Sequence, residues 1–297
     1  MHSLALSPKE IAAAHQRVRV DPYGDLAQLG GRHWTPQGQE ALAEDLHRCL
    51  ANDHVLDLVF YGSQVHADRT GFSDIDAILV IRDETADDAA SLRSLRPCVI
   101  AAQRAVLRYH PMQHHGFDVV TPRLLASATE ALELPAVALS ETCSLRGRRL
   151  SGRLTNKIPS GSNKLKEITE SLQRLVSWPS HPWQAHRAIA MFELLPTLYL
   201  QRRGQWMPKS MSFAEAGKQI GPAWWPYTRL EEVRRSWPRE RYRRLDSAIY
   251  ALRNPWAAMA LWRHLPEVTP SEVRSLLTSD LLAGLHAVTR RFREEVS

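Results

Sequence analysis

The chain has 297 residues, 44% of them hydrophobic, which is enough for two modest domains with real cores. No run of about 18 apolar residues occurs, which argues against a membrane span. The N-terminal stretch around Lys9 and Glu10 has no apolar signal core, and Cys49, Cys98 and Cys143 are too scattered for a disulfide framework or a paired metal motif, so a reducing cytoplasm is the expected setting. The net charge of +6 hides a division. Residues 1–144 carry 12 Lys and Arg against 19 Asp and Glu, while residues 145–297 carry 26 against 13. An acidic half joined to a basic half suits a protein that holds polyanions such as triphosphate or RNA, although an arginine-rich solvated surface has the same composition.

In chain order, residues 1–53 read as helical, with Thr35 as an N-cap and Pro36 at the first helical position. Residues 55–61 (Val-Leu-Asp-Leu-Val-Phe-Tyr) form a short apolar strand ended by Gly62 and Ser63, and residues 75–81 form a second buried strand. A helical stretch from about Asp87 to Tyr109 is expected to split at Pro97, and residues 116–121 read as a third strand. Pro159, Ser160, Gly161 and Ser162 mark a loop and a domain boundary. Beyond it the pattern is helical over about 164–177, 183–203, 210–219, 229–235, 240–264 and 270–295, and eight of the nine Trp residues follow position 170. The fold class expected is α+β: a small mixed-sheet domain over 1–155, then an all-helical domain over 156–297.

Three features of this pattern carry chemistry. Gly62-Ser63 follows a strand directly, so a tight turn into a helix would expose backbone N–H groups to an anion, with glycine permitting close approach. Asp74-Ile75-Asp76 opens a buried strand, where alternation puts both carboxylates on one face and Ile75 on the other. Two such charges repel unless a hard cation sits between them. Asp118, in Phe117-Asp118-Val119, is another carboxylate in an apolar strand, and a neighbouring strand would bring it beside the pair. No Gly-x-x-x-x-Gly-Lys loop, Gly-x-Ser-x-Gly elbow or His-Glu-x-x-His is present, which removes the commonest ATPase and hydrolase readings.

The order of strand, Gly-Ser, ten residues, Asp-x-Asp, strand, and a later strand bearing one Asp resembles the polymerase-beta-like nucleotidyltransferase superfamily over residues 50–125. The resemblance implies a mixed-sheet catalytic domain in which Asp74, Asp76 and Asp118 hold two Mg2+ ions and Gly62 and Ser63 hold the β- and γ-phosphates of a nucleoside triphosphate. It also implies transfer of a nucleoside monophosphate, AMP foremost, to an acceptor oxygen. The chain departs from many members in having His66, Asp68 and Arg69 where an arginine-rich linker is common. Gly204-x-Trp206-x-x-Lys209 is similar to a segment in the helical domain of small antibiotic-type and minimal members, which makes Lys209 and Arg203 candidate triphosphate contacts; the pattern is otherwise a helix end with a glycine stop.

The remaining features read as structural. His110, His114 and His115 fit no zinc spacing and are taken as turn residues. Trp224 and Trp225 read as inter-helix packing more than as a base-stacking platform, and Lys164 and Lys166 as a solvated helix start. Arg234, Arg235, Arg239, Arg241, Arg243 and Arg244 are the best polyanion candidates, although such a cluster is more often a solvated face. A small-molecule acceptor, neutral or anionic, is the first expectation. RNA, as in tRNA-directed toxins, or a protein is the second, and a non-catalytic nucleotide-binding regulator the third. No membrane partner is expected.

Overall fold

The structure, a computed structural model, describes residues 26–30, 33–34, 39–65, 70–110, 112–113, 115–127, 142–153, 162–203, 205, 209–237, 255–266 and 268–295. The chain divides into two compact units. One comprises Met1–Arg69, Ser73–Ile158 and Glu240–His264; the other comprises Thr70–Phe72, Pro159–Arg239 and Leu265–Ser297.

The first unit is α+β. Its elements are β1 (Leu26–Gly30), α1 (Glu40–Cys49), β2 (Val55–Phe60), β3 (Ala77–Ile81), α2 (Asp83–Asp87), α3 (Ala89–Tyr109), β4 (Asp118–Val120), α4 (Pro122–Ser127), β5 (Cys143–Ser144) and β6 (Arg149–Arg153). A mixed sheet runs in the order β4-β3-β2-β5. β2 is antiparallel to β3 and to β5, whereas β3 and β4 are parallel, with Ile78 opposite Asp118. β1 and β6 pair separately as an antiparallel ribbon.

β3 is Ala-Ile-Leu-Val-Ile and is buried at every position because both faces of the sheet are covered. Alternation sends Ala77, Leu79 and Ile81 to one side, where they meet Leu58 and Phe60 and the apolar stripes of α1 (Leu42, Leu46) and α3 (Leu95, Ala102, Ala105, Val106). Ile78 and Val80 go to the other side, with Val59, Val120 and Leu125. Each of the Leu, Ile, Val and Phe side chains contributes about 1.5–3 kcal/mol by leaving water.

Four expectations are corrected. Residues 26–30 are a strand rather than part of a helical N-terminal region, and β5 and β6 add strands beyond the three expected. α3 runs unbroken through Pro97, its start capped by Asp88, whose carboxylate accepts from the backbone N–H of Ala90 and Ser91. A missing helical hydrogen bond at Pro97 is tolerated because buried residues on both sides fix the helix. The segment 270–295 is two helices, interrupted where Thr278 caps the second one by accepting from Leu281 N–H. The expected cap at Thr35 and Pro36 lies outside the described residues.

The second unit is helical: α5 (Ser162–Gln173), α6 (Pro182–Arg202), α7 (Lys209–Ile220) and α8 (Trp225–Arg235). After α9 (Pro255–Trp262), which belongs with the first unit, come α10 (Ser271–Leu276) and α11 (Ser279–Glu294). α6 is buried along most of its length, from Trp183 through Ile189 and Phe192 to Leu200. Around it Trp224 stacks on Tyr227 at 4.2 Å, and the Tyr227 hydroxyl donates to Phe192 O at 3.0 Å. Trp224 is thus a packing residue, as the sequence reading had it. No described helix is long and apolar enough to cross a membrane.

Asp57 is the polar anchor of the sheet. It is wholly buried in β2 and accepts from the N–H groups of Leu58 (2.8 Å), Arg146 (3.0 Å) and Arg148 (3.1 Å). Arg146 in turn donates to Val55 O at 2.6 Å and to Leu50 O, sealing the β5–β6 connection onto β2. Removing the carboxylate strands buried donors. Asp57→Ala is therefore expected to lower the unfolding free energy by about 3 kcal/mol in urea denaturation, with little change in m-value.

Candidate metal centre

The site forms where β2 ends and β3 begins. Asp74 and Asp76 precede β3 on an extended segment whose middle residue, Ile75, is fully buried in the core. Tyr61 N–H donates to Asp76 O at 3.1 Å, so the β2–β3 pairing continues one step beyond Ala77 and fixes the backbone of the acidic pair. A buried amide holds the middle of the segment. Gln113, 2% exposed, accepts from Ile75 N–H at 2.8 Å and donates to Ile75 O at 2.9 Å and to His115 O at 3.1 Å.

His115 is the residue that sequence spacing missed. It sits in the bend before β4, as a turn residue would, but its ring lies between the two carboxylates. Nε2 is 3.1 Å from Asp76 Oδ1 and 3.4 Å from Asp74 Oδ2. Among the described residues, Asp74, Asp76 and His115 form the group whose ligand atoms all lie within 4.8 Å of one another. Burial works against the charged imidazole, but the hydrogen bonds and negative charges of Asp74 and Asp76 outweigh it and push the His115 pKa up to about 11. The other ring nitrogen, Nδ1, lies 3.0 Å from Gly116 O.

Asp118 stands outside that group. It opens β4 beside Ile78, and its Oδ2 accepts from the Tyr61 hydroxyl at 3.4 Å. Burial raises the Asp118 carboxyl above its ordinary range, with His115 and the Tyr61 hydrogen bond acting in the opposite direction. Burial and the carboxylates of Asp76, Asp118 and Asp74 together hold the Tyr61 phenol far above its ordinary value, so it is a permanent donor. Tyr61 thus senses all three acidic residues.

Gly62 has φ +63°, and a Cβ at this position would lie 2.7 Å from Asp76 Oδ2. Both the backbone angle and the space demand glycine. The helix expected after it is, among the described residues, a single 3₁₀ turn, Gly62–Gln64, so a long helix dipole does not serve this site. Ser63 lies within that turn; His66, Asp68 and Arg69 lie outside the described residues.

Lys209 and Arg203 belong to the second unit and have acidic partners there. Lys209 Nζ is 2.5 Å from Oε2 of the buried Glu193. Arg203 Nη1 donates to the Tyr199 hydroxyl at 2.5 Å and lies 3.3 Å from Glu295 Oε2. Lys166 is exposed and 4.0 Å from Glu170.

The donor set of two carboxylates and an imidazole on one rigid backbone corner suits a divalent cation. No family model matches the chain, and no curated protein matches it significantly.

Two outcomes follow from this geometry. Gly62→Ala is expected to cost about 1–2 kcal/mol from the backbone angle alone, measured by urea unfolding, and to displace the Asp76 carboxylate. The His115 pKa is raised above its ordinary 6.5, so in metal-free protein its ion pairing stabilises fully below that pH and is lost as pH rises towards about 11. Unfolding measured across that window is expected to decline more steeply for the native chain than for His115→Gln.

Proposed function

We propose that the chain is a nucleotidyltransferase of the polymerase-beta-like type. It moves a nucleoside monophosphate, AMP foremost, from a nucleoside triphosphate to an oxygen of a small-molecule acceptor and releases pyrophosphate. The observation that carries this reading is the placement of the Gly62 turn directly against the Asp76 carboxylate, with Asp74 and His115 beside it. In this reading the Gly62 turn offers its backbone to phosphate beside a cluster that can hold a cation.

In this reading Asp74 and Asp76 hold the divalent cation, and Gly62 and Ser63 receive the terminal phosphates. A bound cation supplies Lewis-acid chemistry, neutralising phosphate charge and polarising the bond to be broken. Asp118, raised by burial and oriented by Tyr61, takes the proton of the acceptor hydroxyl as that oxygen attacks the α-phosphorus.

One observation favours RNA as the acceptor: 26 Lys and Arg against 13 Asp and Glu in residues 145–297. The deciding experiment incubates purified protein with each α-labelled triphosphate and a divalent cation, against a small-metabolite extract and separately against total RNA. Label on a small molecule supports the first reading, and label on RNA, weakening steeply with salt, supports the second. Asp74→Ala is expected to reduce transfer by more than about a hundredfold. Full activity in that variant overturns the assignment of the site.

A further inference from the structure

The imidazole between the carboxylates changes which cation the site should select. We propose that Asp74, Asp76 and His115 together bind one divalent ion through two carboxylate oxygens and the Nε2 nitrogen of His115, and that this mixed site favours first-row transition dications such as Mn2+ over Mg2+. The inference rests on the metal-dependent reading above and replaces its all-oxygen ligand set at this position.

Three observations carry it. First, the spacing fits. Ligand atoms about 2.0–2.2 Å from a common ion stand roughly 3–3.5 Å apart; Nε2 lies 3.1 Å from Asp76 Oδ1 and 3.4 Å from Asp74 Oδ2.

Second, the ring has the second-shell contact of a metal-bound histidine. Nδ1 is 3.0 Å from the backbone oxygen of Gly116 and 3.4 Å from the Gln113 amide nitrogen, whose two N–H groups make shorter bonds to Ile75 O and His115 O; the closer neighbour is a carbonyl that only accepts, so Nδ1 carries the proton. When the ring is neutral, the Nε2 lone pair therefore points at the two carboxylates. Ligating histidines typically donate their other N–H to a carbonyl or carboxylate in this way.

Third, the ligands are held before any ion arrives. The buried Gln113 amide joins the backbone on both sides of the site, through Ile75 between the two aspartates and through His115 O. Three ligands from two stretches of chain are thus tied together by one side chain. Mg2+ prefers oxygen donors and retains its waters, whereas imidazole suits transition ions, so the nitrogen ligand is the selective element.

Pulsed electron paramagnetic resonance of Mn2+ added to the full chain tests this. The expected result is nitrogen coupling whose pattern changes when the protein is grown with 15N-histidine. In His115→Gln the coupling is expected to vanish, and the preference for Mn2+ over Mg2+ in competition titrations to fall on the order of tenfold. The isotope measurement uses the native chain, so it stands even if the variant folds poorly. Bound Mn2+ without nitrogen coupling overturns the His115 assignment and leaves an all-carboxylate site. No Mn2+ binding, even with a non-hydrolysable triphosphate present, overturns the metal dependence of the proposed activity as well.

Discussion

The first unit is organised around an electrostatic conflict. Asp74 and Asp76 extend from one backbone segment on the same side, at the mouth of a strand whose other residues are wholly buried. Two carboxylates so placed repel, and each is only partly exposed to the water that would screen it. Fold stability alone would be served better by a neutral pair. The conflict is eased by His115, which lies between the two acids and whose pKa their charges and hydrogen bonds push up to about 11. A divalent ion would meet the same demand, so the proton on His115 Nε2 and the ion are alternative answers to one problem.

That geometry depends on how the neighbouring backbone is held. Ile75 is locked into the core beneath the pair, and Gln113 grips both its N–H and its carbonyl. Tyr61 N–H extends the β2–β3 pairing to Asp76, and Gly62 turns away at positive φ to leave room for the Asp76 carboxylate. Asp57 ties the β5–β6 connection to the same strand from its other end. The sheet therefore behaves as a frame whose job is to keep repelling charges within 4.8 Å of each other. Under the proposed nucleotidyl transfer, such preorganisation would let the site meet developing charge without reorganising.

Part of this was legible in the sequence because it depends on local periodicity. Alternation put Asp74 and Asp76 on one face and marked β3 as buried, and Gly62 stood out as a residue type. What was hidden depends on distant contacts. His115 is 39 positions from Asp76, and nothing in its spacing announces a ligand. Tyr61 reads as one more apolar strand residue until its hydroxyl is seen on Asp118. The partners of Asp57 lie 89 and 91 positions away. β1, Leu-Ala-Gln-Leu-Gly, is built of helix-favouring residues and lacks β-branched ones, so local propensity pointed to a helix and only pairing with β6 made it a strand. Pro97 misled for the opposite reason: a strong local breaker is overruled by burial on both sides.

The second unit shows why net charge is a poor guide to the acceptor. Several of its described cations are matched within the unit. Glu193, 1% exposed on α6, draws Lys209 at 2.5 Å and Arg234 at 3.7 Å. Arg203 and Arg291 share Glu295, Arg235 meets Glu231, Lys218 meets Glu215 and Arg229 meets Glu232. A buried carboxylate with two cations costs desolvation, so those cations are held to balance it and are not displayed for a phosphate backbone. Residues 239–244, where four arginines crowd into six residues, lie outside the described residues. A polyanion bound by the whole basic half would need cations spread along its length. Pairing of the described cations within the unit therefore weakens the proposal of an RNA acceptor, which rests on the surplus in composition alone.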